Sequence, residues 1–312
     1  MIQLEGLRKE FGAFAAVDGL DLTVQDGETL VLLGTSGCGK TTTLRMINRL
    51  ITPTAGRVRV AGRDIAGEDA VQLRRKIGYI IQGVGLFPHR TVEDNILTVP
   101  RLLGWERTRS RVRLHELIGL VNLAPELLTR YPHELSGGQQ QRVGLARALA
   151  ADPPIILMDE PLGALDPITR QQVRREFRRI ESLVRKTTIL VTHDIAEAVE
   201  LGDRICLMSD GRCVQLGTPA ELLFRPRTPF VREFFQVGRL QTEWMAVRVG
   251  ELPAPDGGSP VAGPTGLAPE LRVSEALALL ARTDEVEFAR VITAFFAYRR
   301  SREADTAGGE TS

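Results

Sequence analysis

Apolar residues in this chain fall into two patterns. Short runs rich in apolar residues at 28–33 (Glu-Thr-Leu-Val-Leu-Leu) and 155–158 (Ile-Ile-Leu-Met), and the stretches 77–82 and 188–192, read as buried strands. Between them, apolar positions recur every three or four residues. That spacing predicts helices over 41–50, with Leu44, Ile47 and Leu50 on one face, and within 91–132, where Leu114, Leu117, Ile118 and Val121 share a face. Further helices are expected over 137–151, capped by Ser136, and over 167–184 and 194–201. Residues 2–60 alternate apolar and polar positions around Gly12, Gly19, Gly27 and Gly56, which predicts short strands. Strand and helix thus alternate, the rhythm of an α/β fold with a largely parallel sheet, whose ligands bind beyond the carboxyl ends of the strands.

Composition changes near the end of the chain. Residues 250–269 hold five prolines and five glycines, so 238–270 reads as a linker. Two short helices are expected at 273–281 and 286–298, with disorder from Glu303 onward. At 312 residues the chain can bury one large core and carry a small appendage. A net charge of +1 offers no one-sided basic surface, which argues against a nucleic-acid partner. Lys9, Lys40, Lys76 and Lys186 are its lysines, and the arginine excess, including Arg107, Arg109, Arg111 and Arg113, reads as codon bias and a solvated helix face. Cys38, Cys206 and Cys213 make no paired framework and suit a reducing compartment. The N-terminus lacks a basic stretch followed by an apolar one, and no run approaches a membrane span, so the chain is not expected to cross a bilayer by itself.

The candidate chemistry sits at the strand ends. Gly34-Thr35-Ser36-Gly37-Cys38-Gly39-Lys40-Thr41, followed by Thr42, fits G-x-x-x-x-G-K-[ST] between a strand and a helix. Such a loop converges backbone N–H groups on a phosphate, with Lys40 for the outer phosphates and the Thr41 hydroxyl for Mg²⁺, which predicts ATP or GTP binding. Asp159 ends an apolar strand, where it would supply a second oxygen to Mg²⁺, and the adjacent Glu160 would polarise water for in-line attack on the γ-phosphate.

Leu135-Ser136-Gly137-Gly138-Gln139 resembles the LSGGQ signature of ABC ATPases. With the phosphate loop, the Asp159-Glu160 pair and His193, it identifies the chain as a member of that family. The resemblance implies a P-loop NTPase cassette: a RecA-like core sheet, an antiparallel β subdomain, a helical signature subdomain at about 91–150, and a short C-terminal tail, with the cassette over 1–237. It implies a homodimer in which the signature of one subunit completes the ATP site of the other. It also implies that Phe11 stacks on adenine, that Gln82 reaches Mg²⁺ and water, that His193 contacts the γ-phosphate, and that Gly163-Ala164-Leu165-Asp166 forms the D-loop.

Only about fifty residues separate Gln82 from Leu135, so no long coiled coil intervenes. One cassette without fused membrane helices resembles an importer subunit, peripheral on the cytoplasmic face of the inner membrane, served by separate permease chains and, indirectly, an extracytoplasmic substrate-binding protein. Ile77-Gly78-Tyr79-Ile80-Ile81-Gln82-Gly83-Val84-Gly85-Leu86-Phe87-Pro88-His89, Leu102-Leu103-Gly104-Trp105, Arg130-Tyr131-Pro132-His133-Glu134 and Leu201-Gly202-Asp203-Arg204 are similar to the glycine betaine, choline and carnitine branch. Leu86, Phe87, Pro88 and His89 would then receive the permease; packing within the helical subdomain is the alternative. Cargo of another kind (amino acids, polyamines or another small solute) and a non-transport ATPase stay open. The stretch from Leu271 to Leu280 resembles the first helix of a CBS domain, and the tail is too short for a CBS pair, so a degenerate remnant is expected.

Overall fold

The computed structural model describes residues 1–83, 85–163, 165–253, 267–281 and 283–308, with the side chains of 181–184 and 304–308 outside that description. These residues cluster into two compact units, Met1–Asp194 with Cys206–Val214, and Ile195–Ile205 with Gln215–Ser312.

The strands are β1 (Ile2–Phe11), β2 (Phe14–Val24), β3 (Thr29–Gly34), β4 (Ala55–Val60), β5 (Arg63–Asp64), β6 (Ile77–Ile80), β7 (Ile155–Asp159), β8 (Thr187–Thr192), β9 (Arg204–Ser209) and β10 (Arg212–Gly217). They form a four-stranded sheet in the order β2-β1-β4-β5, antiparallel throughout, and a six-stranded sheet in the order β10-β9-β3-β8-β7-β6. Every residue of β3, β7 and β8 is buried, as expected of strands with apolar centres covered on both faces.

Register fixes where the chemistry lies. β3 pairs parallel with β8 from Thr29↔Thr188 to Leu33↔Thr192, β8 with β7 up to Asp159↔Val191, and β7 with β6 up to Ile80↔Met158. Four neighbouring parallel strands therefore end on one edge. The phosphate loop follows β3, His193 follows β8, Glu160 follows β7, and Gln82 lies two residues beyond β6. A one-residue slip in any pair would break this alignment.

The helices of the first unit are α1 (Lys40–Ile47), α2 (Ala70–Arg75), α3 (Val92–Ile96), α4 (Thr98–Leu102), α5 (Arg107–Leu120), α6 (Gly137–Leu149) and α7 (Pro167–Val184). Between α5 and α6 the chain makes two 3-10 turns, Pro125–Thr129 and Pro132–Glu134, each opened by a proline that has no N–H to lose. The apolar face expected on α5 is present: Leu114, Leu117 and Ile118 are buried, while Val112 on its outer side is exposed.

The second unit contains α8 (Ile195–Leu201), α9 (Pro219–Phe224), α10 (Pro229–Phe234), α11 (Arg239–Ala246), α12 (Val273–Leu280) and α13 (Glu285–Gly308). It departs from expectation in two places. The 238–270 stretch read as a linker opens with α11 and a 3-10 turn at Val249–Glu251, because its prolines and glycines are concentrated after Leu252; 254–266 lie outside the described residues. The helix expected at 286–298 continues past Glu303, where disorder was expected, and the Arg299 to Glu303 ion pair supports the extra turn. The last four residues, also in that expected disorder, lie outside the described residues.

This second unit is held together by more than apolar contact. Glu243 on α11 is fully buried and faces Arg239 at 2.7 Å and Arg299 at 3.3 Å. Arg272 donates to the carbonyls of Val199, Glu200 and Met245, satisfying helix-end acceptors of α8 and α11 at once. The backbone of Val249 bonds Leu271 and that of Val273 bonds Val247, which fixes α12 beside α11.

Candidate functional site

The phosphate loop turns from β3 into α1 through Gly39, whose φ of +103° places it in the left-handed region. A Cβ at Gly39 would sit 2.3 Å from the carbonyl oxygen of Ala16, so no other residue fits without moving the backbone. The first-turn amides of α1 receive no side-chain cap and stay directed along the helix axis, as an anion site at a helix start needs. Lys40 is buried, and its Nζ donates to the carbonyls of Gly34 and Thr35 at 2.8 Å each, so the ammonium is held inside the loop. Cys38 is buried with its Sγ 3.7 Å from that Nζ, so the thiol points inward.

Thr41 Oγ1 donates to Asp159 Oδ1 at 2.8 Å. This joins the start of α1 to the end of β7 across 118 residues of sequence. Burial pushes the Asp159 carboxyl above its usual range; the Thr41 hydrogen bond, Arg45 and Lys40 pull it down, and the neighbouring Glu160 pushes it up. Arg45, one turn into α1, is a contributor that the motif does not include. Its signal is weak, since a basic residue in a helix's last turn is common for other reasons.

Glu160 carries a φ of +46°, the left-handed region in a residue with a full side chain. Its N–H donates to the Val191 carbonyl at 2.9 Å and its carbonyl accepts from Gly163, which fixes the turn. The carboxylate is held from both sides: Gln82 Nε2 donates to Oε2 at 3.2 Å, and His193 Nδ1 lies 3.3 Å from Oε1. Strained backbone of this kind persists only where the surroundings over-determine it, and two neighbouring strands do so here. The result is a fixed acceptor beside an anion-binding loop, able to take a proton from water.

Lys40, Thr41, Asp159, Glu160, Gln82 and His193 are thus brought together. Other expected residues lie apart from this cluster. Ser136 caps α6, accepting from the Gln139 N–H at 3.3 Å while Gln139 Oε1 accepts from the Ser136 N–H at 2.9 Å. Leu135 is buried beneath it. A Cβ at Gly137 would crowd Leu165 at 3.2 Å and one at Gly138 would crowd Thr169 at 3.0 Å, so these glycines let 165–169 approach the signature. Asp166 accepts from the N–H groups of Ile168 and Thr169 and opens α7; Ala164 beside it lies outside the described residues. Phe11 is 52% exposed with Lys9 5.0 Å over its ring, which excludes a core role. Thr42 is half-buried on α1.

Leu86 is half-buried, whereas Phe87, Pro88 and His89 are exposed. Two residues that no motif pointed to hold this segment. Asn95 is fully buried; its Oδ1 accepts from the Phe87 N–H at 2.8 Å, and its Nδ2 faces the carbonyls of Phe87, Arg90 and Thr91 at 2.9 to 3.1 Å. Arg147 on α6 donates to the Gly85 carbonyl at 2.8 Å.

A parallel sheet whose ends present a phosphate loop, a strand-end aspartate and a clamped glutamate defines a P-loop nucleotide-binding protein. The comparisons narrow this further. The family model described as "ABC transporter" matches residues 17–163. The osmoprotectant import ATP-binding protein OsmV of Salmonella typhimurium is 50% identical over 258 residues, covering 81% of this chain and 68% of that protein. The glycine betaine uptake system ATP-binding protein YehX of Escherichia coli is 51% identical, covering 80% of each chain. The glycine betaine/carnitine/choline transport ATP-binding protein OpuCA of Bacillus subtilis is 53% identical over 241 residues, 77% of this chain; the match spans only 63% of OpuCA's own length. Among solved structures, the dimeric post-hydrolysis state of the ATP-binding cassette MJ0796 bound to ADP and Pi superposes with a TM-score of 0.62 at 34% identity, covering 70% of this chain and 98% of that one. The chain belongs to the ABC transporter ATP-binding family.

Proposed function

We propose that this chain is the ATP-hydrolysing subunit of an ABC importer for a quaternary amine osmoprotectant such as glycine betaine, choline or carnitine. The observation that carries the catalytic reading is Glu160, fixed between Gln82 and His193 immediately after the buried Asp159, which Thr41 bonds. The cargo reading is supported by the relatives named for such solutes, at 50 to 53% identity.

The donor set fits Mg²⁺: one hydroxyl and one carboxylate oxygen, 2.8 Å apart, are the hard oxygen ligands that ion takes. Thr41 and Asp159 would hold it, with Gln82 at its edge, and the ion supplies charge neutralisation to the phosphates. The amides of residues 34–42 cradle the phosphates, and Lys40 turns its ammonium from the loop carbonyls to the outer ones. Phe11, exposed at the end of β1, stacks on adenine. Glu160 orients water and accepts its proton, while His193 and Gln82 fix the carboxylate and follow the charge developing on the γ-phosphate.

The Ser136 cap and the glycines after it form a second anion site at a helix start, away from the first. In a head-to-tail homodimer, Leu135, Ser136, Gly137, Gly138 and Gln139 of each copy close over the other's ATP, and Asp166 lies between the two sites. The dimeric MJ0796 cassette, which aligns over 98% of its length, supports this arrangement. Phe87, Pro88 and His89, exposed, with the half-buried Leu86 before them, present this segment to a separate permease on the cytoplasmic face of the membrane, which an extracytoplasmic binding protein would supply. Among the described residues, no helix is long and apolar enough to cross a membrane.

Uptake of labelled glycine betaine, choline and carnitine by cells carrying this chain with its neighbouring permease genes tests the reading. Uptake should depend on Glu160 and be lost in Glu160→Gln. Uptake of an amino acid or polyamine instead would move the cargo and leave the ATPase reading intact.

A further inference from the structure

We infer that Arg147 is a positioning residue that ties the loop after Gln82 to the signature serine of the same chain. This rests on the ATP-driven dimer proposed above and concerns how one copy prepares its signature for the other.

Helix α6 begins at the Ser136 cap and carries Arg147 in its last turn. About 16 Å of helix separates the two, at a rise of about 1.5 Å per residue. At the far end, Arg147 Nη1 donates to the Gly85 carbonyl at 2.8 Å, and its guanidinium lies 5.9 Å from the Phe87 ring centroid. Gly85 has a φ of +54°, so the turn that presents this carbonyl to Arg147 favours glycine. The other side of the segment is fixed by Asn95 on α3, and α3 packs against α6. Residues 85–91 are therefore held between two helices, one of which is the signature helix.

At the near end, Gln140 Nε2 donates to the carbonyls of Pro132 and Leu135, so the turn before the signature moves with α6. Beside the route through Asn95 and α3, a displacement of the Phe87 segment is passed by this charge-assisted hydrogen bond straight to a stiff rod, and the rod ends at the hydroxyl that meets the partner's phosphate. Burial lowers the Arg147 pKa, as a sheltered strut rather than a solvated arginine should show.

The test is a double-mutant cycle on the full chain with two readouts. Amide hydrogen exchange in the first turn of α6 is measured without nucleotide in wild type, Phe87→Ala, Arg147→Ala and the double variant, with Arg147→Lys as the conservative control. In the Glu160→Gln background, the ATP concentration for half-maximal dimerisation is measured by light scattering for the same set. Each single change should raise exchange near Ser136 at least fivefold and shift half-saturation by a similar factor. The double variant should match Arg147→Ala alone, and Arg147→Lys should recover part of the loss. Effects that multiply independently, or a Phe87 change that leaves α6 unaltered, overturn the inference. Absence of ATP-dependent dimers in Glu160→Gln itself counts against the dimer reading instead, and the exchange readout still decides this one.

Discussion

Replacing Asn95 with alanine should release the Phe87 segment without disturbing the nucleotide loop. The side chain has no exposure and is fully used: Oδ1 accepts from Phe87, and the two Nδ2 protons are shared among the carbonyls of Phe87, Arg90 and Thr91. That amounts to three hydrogen bonds' worth of donors and acceptors, at about 1 kcal/mol net each, or about 3 kcal/mol in all. A penalty of this size raises the local opening constant roughly a hundredfold, at about 1.4 kcal/mol per factor of ten. The assay is hydrogen exchange of the Phe87 amide, which in Asn95→Ala should lose protection by about that factor. Asn95→Asp is the sharper comparison. It keeps an acceptor for the Phe87 amide, so that proton stays protected, yet it turns a buried carboxylate toward three carbonyl oxygens and should lower overall stability more than alanine does. Unchanged Phe87 exchange in Asn95→Ala, or an aspartate variant as stable as the alanine one, would refute the clamp.

Three further outcomes are expected. Gly39→Ala forces a Cβ to within 2.3 Å of the Ala16 carbonyl at a φ of +103°, so nucleotide affinity should drop at least tenfold while the chain stays folded; an ATP titration by calorimetry checks it. Arg272→Ala leaves the carbonyls of Val199, Glu200 and Met245 without their donor and should cost about 3 kcal/mol of stability in thermal or urea denaturation, with Arg272→Lys recovering only part because one ammonium cannot replace the fork. Burial raises the pKa values of Tyr79 and Tyr298 above 10.0, while an unfolded tyrosine ionises near 10.0, so both groups lose stability for the fold as pH climbs past 10.0. A spectrophotometric titration should show two late phenolate steps, one missing in Tyr79→Phe and the other in Tyr298→Phe.

The parts of the site legible from the sequence are those where chemistry and secondary structure change at one residue. β3, β7 and β8 are apolar at their centres because both faces are covered, and each stretch ends beside a candidate site residue: Gly34, Asp159 and His193. Ser136 was legible for a different reason, since Ser-x-x-Gln before a helix is a capping box in its own right. Asn95 was not legible, because a fully buried asparagine is indistinguishable by type from a surface one until its four partners are seen. Arg147 stood among many arginines, and only its distance to Gly85 separates it from them. The left-handed backbone of Glu160 has no signal at all in a residue that ordinarily avoids it. The helix α11 inside the expected 238–270 linker is hidden in composition, because Arg239–Ala246 holds no proline or glycine and all five prolines of the stretch come after Leu252.

The central claim is that Glu160 carries hydrolysis at a site completed by a second copy of this chain. Turnover and mass of Glu160→Gln at saturating ATP and Mg²⁺ test it together. The glutamine keeps the shape of the side chain but cannot accept water's proton. Turnover should fall by roughly a hundredfold or more, and light scattering should report twice the 34.3 kDa of one chain. A variant that hydrolyses ATP at the wild-type rate, or remains at the mass of a single chain, would contradict the account.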